Sequence, residues 1–312
     1  MMMSAAGLEP SGSRPITKKE LRAAQGEKVS VLKSIPFISV HLASLLAFFV
    51  EVSWTAVVAC MMLYVVRMFG ITAGYHRYFS HRSYKTSRVF QFFLAVLGAS
   101  AAQMGPLWWA AHHRHHHRYS DEAEDMHTPV LKEFWWAHFG WIMCWKYAPT
   151  NLKAVRDWIQ FPELRVLNTI HILVPITLAT GLFVLGWILK HLAPSLETSG
   201  TQLLVWGFFV STVILYHMTF TINSLAHQFG SRRYDTSDDS RNNFILAIIT
   251  LGEGWHNNHH KYPHSERQGF YWYEIDITHL TLVLLSKLGI VWDLKSPPRE
   301  IYERVTCRFI SG

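Results

Sequence analysis

The chain has 312 residues, 50% of them hydrophobic and only 16% charged, with a formal net charge of +7. Soluble domains carry about 25% charged residues, and 13 tryptophans with 19 phenylalanines deepen the apolar bias, so an ordinary soluble globular protein is excluded. The positive balance suits anionic lipid headgroups or phosphate-bearing ligands, and no nucleic-acid partner is expected because no nucleic-acid module accompanies it. Cys60, Cys144 and Cys307 are odd in number and form no CxxC pair, which excludes a disulfide framework and a thiolate metal site.

In chain order, residues 1–34 are polar and basic (Arg14, Lys18, Lys19, Arg22, Lys28, Lys33) and lack the apolar core of a secretory signal. They read as a disordered N-terminal tail. Apolar runs at 35–50 and 52–72 are broken only by Glu51. A bilayer core of about 30 Å needs about 20 helical residues, so the pair reads as a transmembrane hairpin. Arg67 is expected to snorkel toward the interface. A second hairpin covers 169–189 and 203–222, with Pro175 as a tolerated kink. Residues 89–102, 134–145 and 279–292 are apolar or aromatic but too short to span, which suits the interface or a cap packed at one end of the bundle. Residues 296–312 read as a C-terminal tail. The expected fold is an all-α membrane protein, four transmembrane helices in two hairpins beneath a helical cap. Lys and Arg gather in the tail, in 75–165 and after 227, while the hairpin tips hold almost none. The positive-inside rule therefore places both termini and the cap in the cytoplasm.

The chemistry sits in histidines. His112, His113, His115, His116 and His117 fill five of six consecutive positions. On a helix, positions i, i+3 and i+4 share a face, so either His113/His116/His117 or His112/His115/His116 can converge. His256, His259 and His260 repeat the spacing, His76 and His81 bracket four residues, and Asn223 stands four residues before His227. Neutral imidazole is a ligand for iron, zinc and copper. These groups are too many for one tetrahedral zinc and suit a pair of metals. His76 and His81 lie about 140° apart on an ideal helix, so the helix is expected to end there and turn His81 back. Asp121, Asp125, Asp239 and Glu253 are candidate acceptors for the second ring N–H of a ligand. His41, His171 and His217, inside apolar runs, read as neutral hydrogen-bonded side chains.

The motifs His76-Arg-Tyr-Phe-Ser-His81, His113-Arg-His-His116-His117-Arg-Tyr-Ser and Glu253-Gly-Trp-His256-Asn-Asn-His259-His260 resemble the three histidine boxes of integral-membrane fatty-acid desaturases. The nearest resemblance is to the acyl-CoA Δ9 (stearoyl-CoA-desaturase-like) branch. It spans about residues 35–295 and includes Gly70 to Gly74, Asp125, His127 and Asn223 to His227. It implies that His113, His116 and His117 form the second box, and that His76, His81, His113, His116, His117, His227, His256, His259 and His260 bind two irons (Fe2+/Fe3+). Asn223 would hold a metal-bound water, and no catalytic residue is implied beyond the ligands. With O2 as co-substrate, the implied reaction puts a cis double bond, at the Δ9 position, into an acyl-CoA held in a tunnel. On the stripe Cys60, Tyr64, Met68, Thr72, the first two are expected to close that tunnel. Gln103-Met-Gly-Pro-Leu-Trp108 looks more like acyl-lipid desaturases, and Ala111 replaces a basic residue frequent in acyl-CoA enzymes, so an acyl-lipid (phospholipid) substrate is the alternative. Hydroxylation of an acyl chain or alkane on the same scaffold is a second alternative. A non-enzymatic metal carrier fits poorly, since its spans would be lined with polar ligands. No four-cysteine cluster set and no GxGxxG motif is present. A separate carrier (cytochrome b5, ferredoxin or rubredoxin type) with its reductase is expected to dock on the cytoplasmic face near Arg232, Arg233, Lys295 and Arg299.

Overall fold

The computed structural model describes residues 17–301. The other parts of the two expected tails, 1–16 and 302–312, lie outside the described residues. Helix α1 (Lys18–Ala24) begins with a Thr17/Glu20 capping box. Helix α2 (Val31–Phe48) follows, and α3 runs over Trp54–Ser80. Ser30 and Ser53 cap these two long helices by accepting from the backbone N–H groups of Lys33 and Ala56. With α8 (Leu173–Leu192) and α9 (Gly200–His227) they make four helices long and apolar enough to cross a membrane.

Their outward faces fit lipid rather than water. Val58, Met61, Met62 and Val65 of α3 and Phe183, Val184 and Trp187 of α8 are exposed, as are Phe48, Phe49 and Trp54 at the first hairpin tip. The two tips are joined: Thr55 Oγ1 donates to Leu196 O at 2.7 Å, and Gln202 Nε2 donates to Glu51 O at 2.8 Å. Helix α9 is the shared partner, packing on α2, α3 and α8.

Two expectations need correction here. Arg67 does not snorkel; it is 1% exposed. Its guanidinium donates to Ser211 Oγ at 2.5 Å, Thr212 Oγ1 at 2.8 Å, Leu63 O at 3.2 Å and Ser100 O at 3.4 Å. A charge at the centre of a spanning helix costs about 2.5–3.5 kcal/mol, and these four acceptors offset it where packing blocks the way to water. The second correction concerns residues 17–34, which are not a disordered tail. Arg22 pairs with Glu133 and lies 4.5 Å over the Trp136 ring. Glu27 is buried and accepts from Lys132 Nζ at 2.7 Å and from the Tyr147 hydroxyl. The segment straps the cap to the bundle.

The cap contains α4 (Arg88–Ser100), α5 (Pro106–Tyr119), α6 (Phe134–His138), α7 (Pro162–Ile170), α10 (Phe244–Ile249), α11 (His256–Lys261) and α12 (Ile277–Lys287). A two-residue ribbon pairs β1 (Lys85–Thr86) antiparallel with β2 (Val291–Trp292), fastening the chain after the first box to the segment after the third. Two of the short apolar segments pack one face into the cap and leave the other exposed. Helix α4 buries Leu94, Ala95 and Gly98 against α3 and exposes Val89 and Phe93; the aromatic stretch after it buries Trp136 and Trp141 but exposes Trp135 and Trp145.

Candidate metal centre

The first box sits on a helix of unusual pitch. Residues Gly70–Ser80 of α3 form a π-helix, and His81 N–H closes the series on His76 O at 3.2 Å. Bonding from i to i+5 stacks those positions over one another. His76 and His81 therefore share a face, with ring centroids 4.8 Å apart. The helix ends at Ser80 with His81 as its C-cap, as expected, but the wider pitch, not a turn of the backbone beyond the helix, brings His81 round to His76. Gly70 makes room for this, since a Cβ there would meet the Leu97 backbone of α4 at 2.8 Å.

Helix α5 starts with Pro106 at its first turn, and its free amides at Leu107 and Trp108 donate to Asn168 Oδ1 of α7 at 3.1 and 2.9 Å. Arg114 ties this helix to the end of the π-helix, donating to Phe79 O and Ser80 O at 2.8 and 2.9 Å. His113, His116 and His117 then point inward. His112 turns away to stack on Trp108 and bond Trp108 O at 2.8 Å, and His115 bonds Glu124 O at 3.0 Å. Helix α11 is held by buried asparagines: Asn257 Oδ1 accepts from the Arg233 and Tyr234 amides, and Asn258 Nδ2 donates to Gln268 O at 2.9 Å.

Nine imidazoles converge as two adjacent groups. His76, His81, His113, His117 and His259 form one; His116, His227, His256 and His260 form the other. Facing Nε2 atoms are 3.0 Å apart in His76/His259, 2.8 Å in His81/His113, 2.9 Å in His117/His259 and 3.0 Å in His227/His256. Two nitrogens each about 2.1 Å from one metal, at right angles, sit about 3 Å apart, so this spacing fits neighbouring coordination positions. Carboxylates hold the far nitrogens. His116 Nδ1 meets Asp125 at 3.0 Å, His227 Nδ1 meets Asp121 at 2.7 Å, His260 Nδ1 meets Asp238 at 2.5 Å, and His76 Nδ1 meets Glu253. An Nδ1–H given to a carboxylate leaves Nε2 with a lone pair. His76 and His227 thus aim lone pairs at another imidazole nitrogen, and His260 Nε2 is buried without any partner. A cation in each group would answer all three.

The electrostatics agree with a neutral donor set. Burial, reinforced by neighbouring imidazoles, holds His81, His113, His117, His256 and His259 well below the ordinary histidine range. Burial also lowers His260 to about 4, against the pull of Asp238. His116 alone is raised: burial opposes its charge, but Asp125 outweighs burial.

An apolar cavity reaches this centre. Its wall includes Phe37, Met104, Trp109, His113, Tyr216 and Asn223. A second cavity shares Pro36, Ala102, Met104 and Tyr216 with it and continues between α2 and α8 over a floor of Leu204, Phe208 and Phe209. Pro36, Ile176 and Phe183 line this part and are themselves exposed, so it is a groove on the lipid-facing side.

A sequence profile of the family described as fatty acid desaturase matches residues 52–284. The chain is 38% identical over 270 residues to the sn-1 stearoyl-lipid 9-desaturase of Synechocystis sp., covering 84% of this chain and 79% of that one. It is 36% identical to the sn-1 stearoyl-lipid 9-desaturase of Anabaena variabilis, over 86% of this chain and 94% of the relative. The Acyl-CoA C20 Delta5-desaturase of Anemone leveillei is 34% identical, over 81% and 77% of the two chains.

The chain belongs to the fatty acid desaturase family.

In this desaturase Asn223 is half-buried on α9 and lines the cavity beside His113. Other residues depart from their expected places. Cys60 and Tyr64 line neither cavity. They are buried, and the Tyr64 hydroxyl donates to Ile249 O of α10. Their stripe faces protein packing. Asp239 gives only its backbone N–H, to Asp121 at 2.9 Å, and the carboxylate on His260 belongs to its neighbour Asp238. Gln268, without any signal in the sequence, donates to Glu253 at 2.9 Å and reaches His76 Nδ1 at 3.3 Å. His127 packs 4.3 Å from the His116 ring and completes a further group with His116 and Asp125.

Proposed function

We propose that this desaturase introduces a cis double bond at the ninth carbon of an acyl chain esterified in a membrane lipid, at a pair of irons held by the nine histidines, with Asn223 beside them holding a water. The observation that carries the reading is the groove between α2 and α8. A chain still attached to its lipid can slide sideways from the bilayer along Pro175, Ala179 and Phe209 toward His113 without leaving an apolar surface. Relatives named as stearoyl-lipid 9-desaturases support this substrate class and position. Both termini and the centre lie on the cytoplasmic side, following the charge distribution.

Bound iron supplies, with O2, the oxidant that an unactivated C–H bond requires. The residues do the rest. Asp121, Asp125, Asp238 and Glu253 fix the tautomer and ring orientation of four ligands and raise their basicity. Trp109, stacked on His113 at 4.9 Å between ring centroids, and Phe37 and Tyr216 form the apolar wall that keeps water from the reacting carbons. The balance of one turnover is O2, two protons and two electrons plus the two hydrogens of the substrate, giving the alkene and two waters. The two external electrons come one at a time from a separate carrier and its reductase.

An acyl-CoA substrate is the second reading, favoured by the acyl-CoA relative. One experiment separates them. Expressed in a host lacking the activity and pulse-labelled with saturated fatty acid, the chain should yield new monoenes at the ninth carbon that appear in intact glycerolipid before acyl-CoA. The reverse order selects acyl-CoA, and hydroxy acids or unchanged lipids overturn the desaturase reading.

A further inference from the structure

A second opening reaches the histidines from the side away from the acyl cavity. It is lined by His81 and His117 at its floor and by Arg82, Arg118, Lys153, Arg156 and His264 at its rim. The rim residues are exposed. The single carboxylate in it, Asp157, is already taken by Arg114, at 2.8 and 2.9 Å. A basic rim and one neutralised carboxylate thus surround two imidazoles of the five-histidine group. The cleft and the two apolar cavities share no residue.

We propose that this cleft is the docking site for a small acidic one-electron carrier protein, and that electrons enter the centre through the edges of His81 and His117. The proposal rests on the desaturase reading for its need of electrons, but the location comes from the cleft. An exposed basic rim steers an acidic partner and sets its orientation. Redox encounters need only a small interface, under about 1,200 Å². The floor matters as much as the rim: the carrier meets candidate ligands directly, with no intervening layer of protein. An anionic substrate headgroup is disfavoured, because its acyl chain would have to reach a cavity that has no wall in common with the cleft. Of the surface expected from sequence, Lys295 and Arg299 are exposed but do not line the cleft, and the other two residues are engaged. Arg233 is paired with Glu274, and Arg232 is spent on Asp238 O at 2.8 Å and on Asp239 at 3.5 Å.

The test uses the full chain in detergent and two probes, an acidic [2Fe–2S] ferredoxin and the acidic soluble domain of a cytochrome b5, each with its reductase and NADPH. At low ionic strength, Lys153→Glu with Arg156→Glu should weaken binding of at least one probe, and turnover driven by it, by about tenfold or more. Lys153→Gln with Arg156→Gln should fall between, and Arg232→Glu should match wild type. Salt should weaken binding to the wild type and affect the reversed variant little. Single-turnover product from chemically reduced, iron-loaded protein and O2 should not change in any of them. Unchanged carrier binding with unchanged salt dependence in the double reversal overturns the site. So does a raised KM for acyl substrate with carrier binding intact, which marks a headgroup site. If chemically reduced wild type makes no alkene, the desaturase reading fails instead, while direct carrier binding still decides the docking site.

Discussion

The two histidine groups differ in how they are held and how they are reached. In the group of four, three imidazoles (His116, His227, His260) each give a ring N–H to a carboxylate, and none of the four lines the cavities or the cleft. In the group of five, only His76 has a carboxylate, Glu253. That group shows His113 to the acyl cavity and His81 and His117 to the basic cleft. Carboxylate support raises ligand basicity and fixes the ring, so the enclosed group is built to retain a cation. On the proposed function, the open group would stand between substrate and surface, with the acyl chain on one side and electrons entering on the other. One site thus divides two demands that conflict in a single coordination sphere.

The largest effect that would break this comparison is removal of one imidazole from each group. His81→Ala and His256→Ala should both lower activity by more than the about 10–100-fold that loss of a ligand's hydrogen-bonding partner costs. The metal content should separate them. Iron per chain in purified protein should fall from two toward one in either variant, and the iron left in His81→Ala should resist chelator longer than that left in His256→Ala. Equal chelation rates would show that the two groups are not distinct in retention.

Next in size are the carboxylates. Asp238→Asn and Asp121→Asn should each cost about 10–100-fold in metal affinity, read as chelator-dependent loss of one iron, with the other retained. Glu253→Gln should act on the other group, and its effect is compounded because Glu253 also accepts from buried Arg77 at 3.1 Å and from Gln268. A more distant support is Lys132, fully buried, which donates to Asp125 O at 2.6 Å and to Glu27. Lys132→Met leaves Glu27 without its buried charge partner, and breaking such a pair costs about 3–5 kcal/mol. The expected readout is a lowered Tm with a smaller loss of activity per folded, iron-loaded chain. A loss of activity with Tm unchanged would place Lys132 in the chemistry rather than beneath it.

Much of this was legible in the chain because helical spacing is local. The trio 256/259/260 needs only an α-helix to share a face and the four spans need only apolar length, whereas spacing left two registers in the second box and the family resemblance selected 113/116/117. The Thr17/Glu20 capping box that starts α1 was missed, because the polar and basic composition of 1–34 masks a single short helix. What else escaped the sequence depends on packing at a distance. The π-pitch of Gly70–Ser80 is fitted to α4 across Gly70, so an ideal α-helix gave the wrong reason for His81. Asp238 and Asp239 are adjacent in a loop, where no periodicity tells which side chain faces His260. Arg67 finds its acceptors on α9, more than a hundred residues away. The stripe from Cys60 to Thr72 does lie on one face, but nothing in α3 alone reveals that this face packs on α9 and α10.

The smallest expected effect tests the inward register of α5. His115→Ala removes a half-buried side chain that bonds Glu124 O, a contact worth about 0.5–1.5 kcal/mol at most. Iron content and activity should stay within about twofold of wild type, since no cluster contact is lost. His112→Ala removes a ring that stacks on Trp108 at 4.2 Å and lines the acyl cavity. Iron should again be retained, while KM for the acyl substrate shifts modestly because the cavity gains room. Burial lowers His112 to about 4, so this ring is neutral at working pH and its removal alters shape without altering charge. The opposite outcome is specific: if His112→Ala and His115→Ala strip iron while His113→Ala and His117→Ala keep it, α5 presents its other face to the metals. The five-histidine group would then lose two of its members, and with them its contact with the cavity and half of the cleft floor.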